Sequence, residues 1–62
     1  MTIISVYKFK NPQAADDALE ALWRRLCGGF ERSGGAEIWI TSFCDDVYLA
    51  GQICQSLGGQ AK

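Results

Sequence analysis

The sequence contains no histidine and a single proline, and its three cysteines, Cys27, Cys44 and Cys54, form no CxxC pair. Without histidine the commonest general base and the commonest zinc ligand are both missing. An odd, sparse cysteine set is not the even framework that staples small secreted domains, so the chain reads as a reduced, cytosolic protein with free thiols. Three thiolates and a carboxylate satisfy zinc in number, but neither paired spacing nor histidine supports such a site, so no metal and no cofactor is expected. No run approaches the roughly 18 apolar residues of a membrane span. The stretch from Met1 to Ser5 lacks the charged start and apolar core of a secretory leader. Charge of one sign is missing too. Six Lys and Arg face seven Asp and Glu, a net charge of −1, whereas a domain held on nucleic acid by phosphate contacts is usually clearly basic. Neither a membrane nor direct nucleic-acid binding is expected.

What is present suits one small globular unit. The chain has 62 residues, 48% hydrophobic and 21% charged, and reads as a single domain over 1–62. A domain of this size buries only about 60% of the surface its unfolded chain exposes, so stability is marginal.

Thr2 to Phe9 (TIISVYKF) is rich in β-branched and aromatic residues and predicts a strand. Asn11-Pro12 predicts a helix start, with Asn as cap and Pro at the first helical position. Ala15, Leu19, Leu22 and Leu26 recur at helical spacing, Ala18, Trp23 and Cys27 widen the stripe, and Glu20 with Arg24 forms a favourable i,i+4 pair. Gly28-Gly29 predicts the helix end. Ala36 to Phe43 predicts a second strand, with Ile38 and Ile40 on one face and Trp39 on the other. Ser42 and Asp45 resemble a capping box for a second helix from Phe43 or Cys44 to Leu57, its seam being Phe43, Val47, Ala50, Cys54 and Leu57. Gly58-Gly59 stops it, and Gln60-Ala61-Lys62 reads as a frayed tail.

The predicted class is α/β in the sense of a small α+β-like two-layer domain, in the order β-α-β-α, with two helices on a thin two- or three-stranded sheet. The leading topology is a right-handed crossover between parallel strands. Its rival makes Phe30 to Arg32 a short strand, hairpinned through Ser33-Gly34-Gly35 into an antiparallel sheet. The halves look alike: Asp16-Asp17 leads to Gly28-Gly29 much as Asp45-Asp46 leads to Gly58-Gly59. Capping rules alone account for that likeness, and a degenerate repeat is the other reading.

Nothing in the pattern supplies a catalytic constellation, and the expectation is a protein that is not an enzyme. Cys44, near a helix start, is the one candidate nucleophile, and its neighbours Asp45 and Asp46 oppose its ionisation. With parallel strands both helices begin at one edge of the sheet. That edge then gathers Asp16, Asp17, Glu20, Asp45 and Asp46, either to complement helix dipoles or to meet a basic partner. Strand parity suggests an aromatic face with Tyr7 and Trp39, and Tyr48 stands on the outer side of the second helix. These three are candidate partner-binding anchors.

Over its full length, from MTIISVYKFK onward, this very short chain has scarcely any catalytic vocabulary and a mildly acidic balance. In that it resembles phage-encoded anti-CRISPR proteins, in particular inhibitors of type I systems, type I-C among them. The group shares neither one fold nor one signature and assigns no residue here. The resemblance implies a non-enzymatic inhibitor in the cytoplasm of an infected bacterial cell. It would bind a CRISPR-Cas surveillance complex (Cascade) stoichiometrically, as monomer or homodimer, and block target DNA binding or nuclease recruitment. Two other readings stand beside it: a self-associating structural module, and a small thiol redox or metal-binding protein.

Overall fold

One asparagine and one aspartate set where the helices begin. The computed structural model describes residues 2–62. Asn11 caps the first helix, α1 (Pro12–Arg25), its side chain accepting from the Ala14 N–H at 2.8 Å, with Pro12 in the first turn as expected. Ala15, Ala18 and Leu22 are buried along one face, and the Glu20–Arg24 pair closes at 2.8 Å on the other. The helix stops at Arg25, short of the expected Gly28-Gly29. Leu26 turns to an extended conformation and buries its side chain against the sheet while its N–H still reaches the Leu22 carbonyl. That leaves Cys27 exposed beyond the helix and Trp23 out of the core stripe, 56% exposed, with its ring edge-on to Phe30 at 4.7 Å.

The second helix, α2 (Val47–Ser56), is capped by Asp46, whose carboxylate accepts from the Leu49 N–H at 3.0 Å. It therefore starts later than the Ser42–Asp45 pattern predicts. Ser42 bonds instead to Thr2, its N–H donating to the Thr2 carbonyl at 2.7 Å, and Cys44 N–H donates to the Thr41 carbonyl. Phe43 and Leu57, expected in the helix seam, are exposed, whereas Ala50 and Cys54 are fully buried. At the far end Gly58 (φ 93°) takes the left-handed position. Gly59 N–H then donates to Cys54 O, and Gly58 N–H to Gln55 O, the pair of hydrogen bonds of a Schellman ending.

The strands are β1 (Ile3–Lys8), β2 (Phe30–Arg32), β3 (Glu37–Thr41) and β4 (Gln60–Ala61). They form one sheet in the order β2-β3-β1-β4, every neighbouring pair antiparallel. The two-layer α+β class stands, and the order is β-α-β-β-α-β. The parallel crossover does not occur. Phe30 to Arg32 pair with β3, as in the rival topology, and this inserted hairpin reverses β3 relative to β1. The expected frayed tail is also corrected. The Schellman turn delivers Gln60 and Ala61 alongside Lys8 and Tyr7, and Lys62 N–H donates to the Val6 carbonyl at 2.8 Å. Two β-α-β units thus interleave, β1-α1-β2 and β3-α2-β4, with the connectivity of split βαβ, ferredoxin-like domains.

Both helices cover the face that carries Ile38 and Ile40. Register decides which β1 residues join them: Tyr7 lies opposite Ile38, and Val6 opposite Trp39. Tyr7 and Phe9 are therefore core, and Trp39 points to the uncovered face. The aromatic face predicted from parity does not exist, because parity within a strand is silent about the register between strands. Arg32 ties the layers together. Its guanidinium donates to Asp16 at 2.9 Å, to the Pro12 carbonyl at 3.2 Å, to Ser33 O at 2.6 Å and to Gly35 O.

Candidate interaction surface

The antiparallel sheet separates the acidic residues that a parallel one would have gathered. The C-terminal ends of β1 and β3 point in opposite directions, so α1 and α2 begin at opposite ends of the sheet. Asp16, Asp17 and Glu20 lie toward one end. Asp45 and Asp46 lie toward the other, where Asp45 accepts the Cys27 N–H at 2.9 Å just past the end of α1. All five are engaged in local structure. Asp16 pairs with Arg32 and Glu20 with Arg24, Asp17 accepts from Gln13, Asp45 ties down Cys27, and Asp46 caps α2. Among the described residues no single acidic edge forms.

The chain does expose contact-type side chains on either side of the start of α2. Phe43 is 69% exposed and Tyr48 is 77% exposed, and Asp45 and Asp46 stand between them in sequence. Phe43 is held out because the turn after β3 is pinned on its inner side. Thr41 is buried, its hydroxyl donates to the Gly29 carbonyl at 2.9 Å, and the Phe43 N–H donates back to that hydroxyl oxygen. Tyr48 faces out because Val47, Ala50 and Cys54 take the inner face of α2.

Beside Tyr48 runs a groove of about 350 Å³, lined by Tyr7, Val47, Tyr48, Gly51, Gln52 and Gln55. Its floor depends on Gly51. A Cβ at that position would stand 2.6 Å from the Tyr7 hydroxyl. Glycine inside a helix costs about 1 kcal/mol relative to alanine, and here it makes room for a core tyrosine's oxygen to reach the groove. Of the three aromatic candidates, the structure thus brings Tyr7 and Tyr48 together and sends Trp39 to the other side. Phe43, expected in the helix seam, is instead exposed and joins the contact candidates.

All three thiols are free. Cys54 is buried and its thiol is pushed up to about 11, first by burial and then by the nearby Cys44. The exposed Cys27 thiol is also raised, chiefly by its hydrogen bond to Asp45 and then by that carboxylate's charge. Among the described residues no three acidic or thiol side chains gather into a group able to hold a metal ion, and no helix is long and apolar enough to cross a membrane. Comparison with protein-family models, with curated proteins and with solved structures yields no match. The topology alone carries no function, since this connectivity hosts many.

Proposed function

We propose that this protein is a non-enzymatic binding domain that acts by occupying a surface of a larger assembly, and that its contact surface is the outer side of α2. The observation that carries the reading is the exposed Tyr48 beside the Gly51 opening onto the Tyr7 hydroxyl. Tyrosine is among the residues that anchor protein interfaces, because one ring brings large area and a polar tip at low entropy cost. Asp45 and Asp46 add negative charge, which suits a basic partner surface of the kind that nucleic-acid-binding subunits present. The resemblance to anti-CRISPR proteins supplies the assembly: a type I surveillance complex, inhibited in the bacterial cytoplasm at the step of target DNA binding or nuclease recruitment.

The test is a pull-down of purified type I surveillance complexes with the wild-type chain, Tyr48→Ala and Asp17→Lys, followed by a DNA-binding assay at two salt concentrations. Tyr48→Ala leaves the fold intact, because the ring is exposed, and abolishes capture. Asp17→Lys, far from α2's start, leaves capture unchanged. Inhibition anchored by aromatics persists at the higher salt, whereas one made mainly by charge collapses. Full capture by folded Tyr48→Ala removes this surface as the contact.

A further inference from the structure

The uncovered face of the sheet has an order that the proposed contact on α2 does not use. Pairing puts four residues in one row across it: Glu31 on β2, Trp39 on β3, Val6 on β1, and Lys62 just past β4. An acid stands at one flank, a base at the other, and two apolar side chains lie between. Glu31 is exposed, and Val6 and Trp39 are partly exposed. Toward one end a bulge between Ile3 and Ser5 leaves Ile3 and Ile4 near Thr41, both exposed. Toward the other, Glu37 accepts from Lys62 Nζ at 2.7 Å and from the Trp39 indole at 3.4 Å.

We infer that this face docks on the same face of a second copy. The row is self-complementary under a two-fold axis lying in the interface, parallel to the strands, between β1 and β3. Such an axis carries the β2 flank of one chain over the β4 flank of the other. Each Glu31 then meets the partner copy's lysine at position 62, and each Trp39 meets the partner copy's valine at position 6. Facing sheets pack about 10 Å apart, a gap that a glutamate and a lysine side chain bridge together. Lys62 holds Glu37 with one of its ammonium donors and keeps the others. The opposite docking, β2 flank over β2 flank, sets like charges together at both flanks and is repulsive. The molecule's 25 × 21 Å cross-section limits the contact to roughly 500 Å² per copy in projection, about 1,000 Å² for the pair, which is the size of weak, transient contacts. The dimer is therefore weak and concentration dependent. It leaves the outer side of α2 free, so the contact on α2 and the dimer stand or fall separately.

Sedimentation of the full chain from micromolar to millimolar concentration tests this, with Trp39 emission followed in a Trp23→Phe background. The mass rises toward twice that of the chain, and the emission moves to shorter wavelength as the indole leaves water. Glu31→Lys and Lys62→Glu each raise the dissociation constant about tenfold or more, because each homodimer then sets like charges face to face. An equimolar mixture of the two variants restores association, since one variant is positive at both flanks and the other negative at both. Glu31 is exposed and bonds to no side chain among the described residues, so Glu31→Lys reports on association even if Lys62→Glu loosens β4. A monomer at every concentration overturns the inference, and so does a dimer indifferent to Glu31→Lys.

Discussion

Gly29 lies against the backbone of Cys44. It has a positive φ of 87°, and a Cβ there would overlap the main chain of Phe43 and Cys44. This one approach joins the turn after α1 to the turn before α2, and through the Thr41 hydroxyl bond to Gly29 it sets where the exposed Phe43 and Tyr48 begin. Gly58, with nearly the same φ, has open space where its Cβ would be. Gly29→Ala is therefore expected to cost at least about 3 kcal/mol, from strain and overlap together, and Gly58→Ala about 1 kcal/mol from the backbone alone. Denaturant unfolding of both variants measures the gap.

Arg32 is the second such joint. Its side chain is 20% exposed and its fork ties α1, at Asp16 and the Pro12 carbonyl, to the β2–β3 hairpin. Arg32→Lys keeps the charge but cannot hold the fork, and is expected to cost about 2 kcal/mol. Asp16→Asn, at the exposed end of the same pair, is expected to cost well under about 1 kcal/mol. Comparing the two by thermal melting separates geometry from charge.

Glu37 gives a pH dependence with a definite sign. Its carboxyl is held below the usual glutamate range first by the hydrogen bond from Lys62, then by that from the Trp39 indole. Burial opposes these in part, and the charges of Lys62 and Lys8 add to them. A depressed folded-state value means this carboxylate's contribution is full above the ordinary glutamate value and disappears as pH falls through the folded one. Glu37→Gln should therefore flatten the acid limb of the stability curve. An unchanged acid limb would show that the pair is not formed in solution.

The thiols should differ in reactivity. Cys54 is both buried and raised to about 11, so it should resist alkylation at neutral pH until the chain unfolds. Cys27 is exposed, but Asp45 disfavours its thiolate. Asp45→Asn should speed Cys27 labelling at neutral pH while leaving Cys54 protected, as mass spectrometry of the alkylated chain can read out residue by residue.

Local signals were legible where one residue type does one job. Asn11-Pro12 starts α1, Gly58-Gly59 ends α2, and the Ala15–Leu22 stripe and the Ile38/Ile40 face are core. What escaped depends on pairing. Gln60 and Ala61 carry no strand propensity and become β4 only because the preceding turn lays them against β1. Trp39 left the company of Tyr7 once Val6 proved to be its partner. The acidic edge dispersed for the same reason, since one short strand, β2, sets the direction of β3. The segment 42–46 offers two Asp and a Ser within reach of a cap, and only the turn around Thr41 selects Asp46. Of the proposed contact surface, Tyr48 was readable from helical phase, whereas the Tyr7 hydroxyl and its Gly51 opening required the packed layers.

A domain that works by contact alone has a fixed ratio to its target. Titrating the chain against a type I surveillance complex, with target DNA binding or nuclease recruitment as the readout, should give inhibition that saturates at a constant molar ratio and is lost in Tyr48→Ala. Full inhibition far below one chain per complex would mean turnover, and would contradict a mode of action based on occupancy.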